Sequence, residues 1–192
     1  MENKWNKKNA LWLALYVVLY AVTTAIVCVL GSIHPIMFVC YQVTAGILVT
    51  GVATSTFTRI QAPGAALCLS AGMTALFFII GEASHWHCVP IIVIGVLAEI
   101  AGLIIGNEKW LAIVVKSIIM SFSTFGFYGQ IWFNRDYTYV CAIDEMPEGY
   151  ADTLMNVSPA WSFPVVIVIG IVVSVIIANV TARLFKLDSR GR

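Results

Sequence analysis

Apolar residues in this chain fall in long unbroken runs instead of alternating with polar ones, and six runs approach the length of a membrane crossing. A helix needs about 20 apolar residues to cross a hydrocarbon layer of ~30 Å. The runs cover residues 10–33, 36–57, 65–81, 88–105, 110–133 and 161–184. The third is the shortest and follows the breaker Ala62-Pro63-Gly64. Residues 134–160 form the one long polar connection, rich in Tyr and punctuated by Pro147, Gly149 and Pro159. A connection of that length is usually functional or disordered, and its aromatic content argues for order. It is read as an extracellular cap over a cavity, with a short helix within 147–155.

These patterns predict an all-α integral membrane protein. Residues 1–192 form a single membrane domain, a bundle of six transmembrane helices with an extracellular cap between helices 5 and 6. Composition agrees: 60% of the 192 residues are hydrophobic and 11% are charged, against about 25% charged in a soluble domain. The basic start followed by an apolar run is read as a retained helix, because no cleavage site followed by a soluble domain is evident.

Charge placement sets the orientation. Lys4, Lys7, Lys8, Arg59, Lys109, Arg183, Lys186, Arg190 and Arg192 fall on one side of a six-span bundle. The other side carries Arg135 beside Asp136, Asp144, Glu145, Glu148 and Asp152. Lys and Arg mark cytoplasmic loops, so both termini are expected in the cytoplasm of a multi-pass protein of the prokaryotic plasma membrane. The net charge of +1 gives no sign of a nucleic-acid partner.

Candidate chemistry is sparse. Glu99 and Lys116 lie inside the fourth and fifth runs, at similar distances from the short turn between them, so a buried charge pair is expected. Such a pair serves either structure or function. His34, His85 and His87 all fall at the outer side, where interfacial histidines and ligands of haem or a metal are both open readings. Trp86, Tyr128, Trp132, Arg135, Tyr137 and Trp161 join them as candidate substrate-binding residues. Part of this aromatic gathering is an interfacial belt, and part suits a pocket for a flat or apolar ligand. Cys28, Cys40, Cys68, Cys88 and Cys141 lack metal or redox spacing and read as small buried hydrophobes. Small residues at Gly46, Gly51, Gly95, Ala98, Ala101 and Gly102 read as internal helix packing. No GxxxxGK[ST], HExxH, GxSxG or TVGYG motif is present, which excludes a P-loop ATPase site and leaves no sign of these hydrolases or of a potassium channel.

The order of certain segments resembles a known family. The segments are RIQAPG (59–64), LAEIAG (97–102), GNEK (106–109), FGFYGQIWFNR (125–135), PEGYAD (147–152) and SPAW (158–161). The chain is similar to the substrate-binding S components of energy-coupling factor (ECF) transporters, in particular the Trep_Strep (MptD-like) group, over most of its length. The resemblance implies a six-helix protein that binds a micronutrient in an outward cavity. It implies docking on a membrane coupling subunit that sits on two ATPase subunits. Small residues of the Ala-x-x-x-Ala type on the first helix make that contact in such proteins, and Ala10 and Ala14 fit the pattern. The C-terminal tail is less basic than the family's. No cofactor of its own is implied. Haem is the first single guess for the transported ligand, with His34 as its axial ligand, and a vitamin is next. The alternatives are a membrane redox or quinone-handling or haem-handling enzyme, and a structural membrane protein.

Overall fold

A computed structural model describes residues 5–185. The expectations for Lys4, Lys186, Arg190 and Arg192 lie outside the described residues. Within them the chain is all-helical: α1 Lys7–Ile33, α2 Pro35–Val39, α3 Tyr41–Arg59, α4 Ala65–Ile80, α5 His85–Ile105, α6 Trp110–Ser121, α7 Phe125–Tyr128, α8 Gln130–Phe133, α9 Arg135–Glu145, α10 Tyr150–Val157 and α11 Ser162–Leu184.

Among the described residues four segments are long and apolar enough to cross a membrane: Lys7–Ile33, His85–Ile105, Trp110–Tyr128 and Ser162–Leu184. Their outer faces carry exposed Leu, Ile and Val, such as Leu11, Val18, Leu103, Ile104, Val168 and Val172. Apolar side chains left in contact with the surroundings along whole helices are what lipid as a solvent permits. The other two expected crossings differ from these four. Helix α4 has 16 residues, which span only about 24 Å at ~1.5 Å per residue. Helix α3 is rich in Thr, and its low hydropathy follows from its position. It packs against α1, α6 and α11, so Gln42, Thr50, Thr54, Thr56 and Thr58 are buried by protein and do not meet lipid. Thr50 donates to Ser174 Oγ at 3.1 Å, and Gln42 donates to Ser121 Oγ at 2.9 Å. Gly46 and Gly170 let α3 and α11 cross closely: a Cβ on Gly46 would stand 2.9 Å from the Gly170 carbonyl oxygen.

Two expected runs are broken. The second run divides at Cys40 into α2 and α3. His34 N-caps α2, accepting from the Ile36 amide at 3.2 Å through Nδ1, and Pro35 takes the first helical position. The fifth run, expected to be continuous, leaves the α-helix after Ser121. The amides of Phe122, Ser123, Phe125 and Phe127 bond carbonyls three residues back, as in a tighter turn. The chain then continues as α7 and α8. Pro90, inside α5, removes the amide that would bond the Trp86 carbonyl. Gly126 packs against that freed carbonyl and the Pro90 ring, where a Cβ would overlap both.

Residues 134–160, expected as a cap with one short helix, hold two helices. Helix α9 was not expected, and α10 occupies 150–157, close to the short helix expected within 147–155. Tyr139 Oη donates to Asp152 Oδ1 at 2.9 Å and ties the two helices together. Tyr150 Oη donates to the Gly31 carbonyl at 2.6 Å and fastens the cap to the end of α1. At the opposite end of the bundle Trp5 Nε1 donates to the Pro63 carbonyl at 2.9 Å, and the Arg59 guanidinium lies 3.9 Å from the Trp12 ring centroid.

Candidate functional site

A cavity of about 260 Å³ lies between the cap and the bundle. Four parts of the chain build it. Helix α2 supplies Phe38, the α4–α5 connection supplies Glu82 and Ser84, the first turn of α5 supplies Trp86 and His87, and the broken run supplies Phe127 and Gln130. The cap supplies Tyr137, Thr138, Cys141, Ala142 and Glu145 from α9, and Tyr150 and Leu154 from α10. The α9 set falls at i, i+1, i+4, i+5 and i+8, which is one face of a helix. That spacing is the signal by which the cap lining is legible in the sequence, once 135–145 is taken as helix.

The walls are aromatic. Phe38 and Phe127 stand 5.1 Å apart between ring centroids, and His87 is 5.5 Å from Phe127 and 5.2 Å from Phe77. His87 Nδ1 lies 2.7 Å from the Glu82 carbonyl. This contact fixes the ring and leaves Nε2 outside it. Two polar atoms in the lining have no partner: Gln130 Oε1 and Thr138 Oγ1. Gln130 spends its amide nitrogen on the Gly126 carbonyl at 2.9 Å. Thr138 contrasts with Thr23, Thr24, Thr56, Thr58 and Thr153, whose hydroxyls all bond a carbonyl four residues back. An unsatisfied buried polar atom costs about 1–3 kcal/mol, so each such group calls for an explanation.

Three of the expected substrate-binding residues line this cavity: Trp86, His87 and Tyr137. The others lie elsewhere. His34 is exposed and engaged as the α2 cap, and it is absent from the lining. His85 is exposed at the start of α5 with its ring against Trp86, 5.0 Å between centroids. Tyr128 is buried in the core, stacked on Tyr41 at 4.7 Å and donating to Gln42 Oε1. Trp132 Nε1 donates to Ser162 Oγ at 3.0 Å. Arg135 donates to the Ser158 and Met155 carbonyls at 2.6 and 2.9 Å, which caps the C-terminus of α10. Trp161 is 69% exposed. The contacts of Tyr128 and Trp132 thus lie within the bundle, and those of Arg135 within the cap. Phe38, Glu82, Gln130, Thr138 and Glu145 were not among the expected residues.

Glu99 and Lys116 meet at the opposite end, with Lys116 Nζ 3.7 Å from Glu99 Oε1. The carboxylate also accepts from the Ala66 amide at 2.6 Å, and Lys116 donates to Asn107 Oδ1 at 2.9 Å. Ala10 and Ala14 are exposed on α1. All five cysteines are free thiols. No group of three or more metal-ligating side chains is assembled among the described residues.

A family model described as a hypothetical bacterial integral membrane protein (Trep_Strep) matches residues 7–187. No curated protein and no solved structure matches the chain. With its apolar crossing helices and this match over nearly its full length, the chain belongs to the Trep_Strep family of bacterial multi-pass integral membrane proteins.

Proposed function

We propose that this chain is the substrate-binding S component of an ECF-type importer, which captures a small organic micronutrient in the cavity beneath α9 and α10. The observation that carries this reading is that cavity: aromatic walls, a two-helix lid, and two polar atoms left without partners. Pockets for small molecules have this character, mostly apolar with a few placed polar groups. In this reading the segments α1, α3, α4, α5, α6 to α8 and α11 make six crossings. Arg59 and Lys109 lie at the end opposite the cap and face the cytoplasm together with both termini. The chain has no ATPase site of its own, and energy comes from a membrane coupling subunit and two ATPase subunits.

A vitamin-sized ligand suits the lining better than haem. The charged residues of the lining are Glu82 and Glu145, which would repel the propionates of haem, and His34 lies outside the lining. A haem reading passes to His87, whose Nδ1 contact leaves Nε2 for a ligand. The redox-enzyme alternative has less support, because Glu99 and Lys116 sit at the far end of the bundle from all three histidines.

The test is purification of the full chain in mild detergent, followed by an absorbance spectrum and mass spectrometry of any retained small molecule. Uptake is then measured in vesicles with and without ECF coupling and ATPase subunits. The expected result is a colourless protein with an organic ligand and uptake only with partners and ATP. Uptake or chemical turnover by the chain alone overturns the reading, and a Soret band restores haem as substrate.

A further inference from the structure

We infer that the cavity under the cap selects a flat organic cation that carries N–H donors, which names the substrate class for the binding role proposed above and rests on it. Three features of the lining converge. The first is charge. The formally charged residues lining the cavity are Glu82 and Glu145, and among the described residues no Lys or Arg lines it. The cap around them extends the same sign, with Asp136, Asp144, Glu148 and Asp152 against the single cation Arg135. Arg135 is turned away from the cavity onto the Ser158 and Met155 carbonyls. A mouth lined by one sign of charge concentrates ligands of the opposite sign.

The second feature is the walls. Phe38, Trp86, Phe127 and Tyr137 place four aromatic rings in the lining of a volume of about 260 Å³. Aromatic faces attract cations through their quadrupole and stack on flat rings. An anion gains nothing from these faces and is repelled by the carboxylates.

The third feature concerns hydrogen bonds. Gln130 Oε1 accepts only, and its amide nitrogen is already committed to Gly126. Thr138 is 9% exposed and its hydroxyl has no partner, although its place within α9 offers the Asn134 carbonyl four residues back. Both oxygens are shielded as the side chains stand, and a ligand N–H that they turn to meet relieves an unmet acceptor. This second, independent observation takes the acidic rim beyond a solvated surface cluster.

The experiment is titration calorimetry on the full chain in nanodiscs of zwitterionic lipid, after stripping any co-purified small molecule. The probes are 4-amino-1-methylquinolinium and quinoline-4-carboxylate, which share the ring system and differ in charge. Saturable binding of the cation and none of the carboxylate is expected. Glu82→Gln and Glu145→Gln, both at exposed positions, should each weaken the cation by about two- to fivefold, the range of a solvent-screened charge pair. Thr138→Val keeps the shape and should weaken it by about three- to tenfold. Three results overturn the inference: equal or tighter binding of the carboxylate, no cation binding at millimolar concentration, or unchanged affinity in all three variants. Failure of the transport reading looks different. Cation binding without ATP-driven uptake would sink the transport role and leave the site intact. Driven uptake of a neutral or anionic substrate would do the reverse.

Discussion

Glu99 Oε1 lies 3.7 Å from Lys116 Nζ and 2.6 Å from the Ala66 amide nitrogen, so one carboxylate oxygen joins a buried cation to the N-terminus of α4. Lys116 is 1% exposed and rests 4.5 Å from the Phe57 ring centroid. The pair thus locks α4, α5 and α6 together at the end opposite the cap. Removing one partner leaves the other charge buried without its counterion. Lys116→Met or Glu99→Gln alone should destabilise the protein by about 3 kcal/mol. The double variant should recover part of that loss. Unfolding in mixed detergent micelles reads both. A double variant no more stable than the worse single one would show that the two charges are not coupled.

Tyr150 holds the cap to the bundle through the Gly31 carbonyl. Tyr150→Phe should cost about 1 kcal/mol and raise hydrogen exchange in α10 without unfolding the helices below. Burial pushes the Tyr150 hydroxyl from 10.0 up to about 12. The raised value means that the folded state favours the protonated form. The contact is therefore complete below the ordinary tyrosine value and weakens as pH climbs towards the folded one. Wild-type α10 should show excess exchange, over the chemical increase with base, only above about pH 10, and the Phe variant should lack that pH dependence.

Gly126 occupies the space beside the Trp86 carbonyl and Pro90 where a Cβ does not fit. Gly126→Ala should displace α7 and cost about 1–3 kcal/mol, the range of an overpacked core. Because Phe127 is the next residue and lines the cavity, ligand affinity should fall with stability. A variant of wild-type melting temperature and affinity would mean that α5 and α7 separate freely.

His34, expected as the first haem-ligand candidate, and His87 share a residue type and differ in place. His34→Ala removes the α2 cap and should cost about 1 kcal/mol while leaving the retained ligand in position. His87→Ala opens the aromatic wall and should release that ligand. Ligand mass spectra of the two variants decide this, and loss of ligand only in the His34 variant would move the site away from the cavity.

Ala14 is exposed on α1, far along the helix from the cap. Under the proposed role, Ala14→Leu blocks close helix contact with the coupling subunit. Ligand binding should be unchanged and ATP-driven uptake lost. Uptake at the wild-type rate would remove Ala14 from the docking face.

Local pattern alone determined the helical class, the membrane setting and the near-boundaries of α1, α5 and α11, because long apolar runs in a chain with few charges have no soluble alternative. It also placed Glu99 and Lys116 symmetrically about a short turn, and an antiparallel hairpin brings such positions level. Tertiary packing decided the rest. Helix α3 is polar although it packs among apolar crossing helices, because three neighbours shield it, and hydropathy cannot see neighbours. The fifth run breaks where its hydroxyl-rich turn and Gly126 meet the carbonyl freed by Pro90, which lies more than thirty residues away in sequence. The site was only partly legible for the same reason. Trp86, His87 and Tyr137 are recognisable by type, but Glu82, Gln130, Thr138 and Glu145 gain their meaning from a cap folded over a distant connection. Whether a polar side chain is spent on a helix end, as in His34 and Arg135, or left without a partner, as in Thr138, depends on which backbone groups lie within reach. Folding alone settles that.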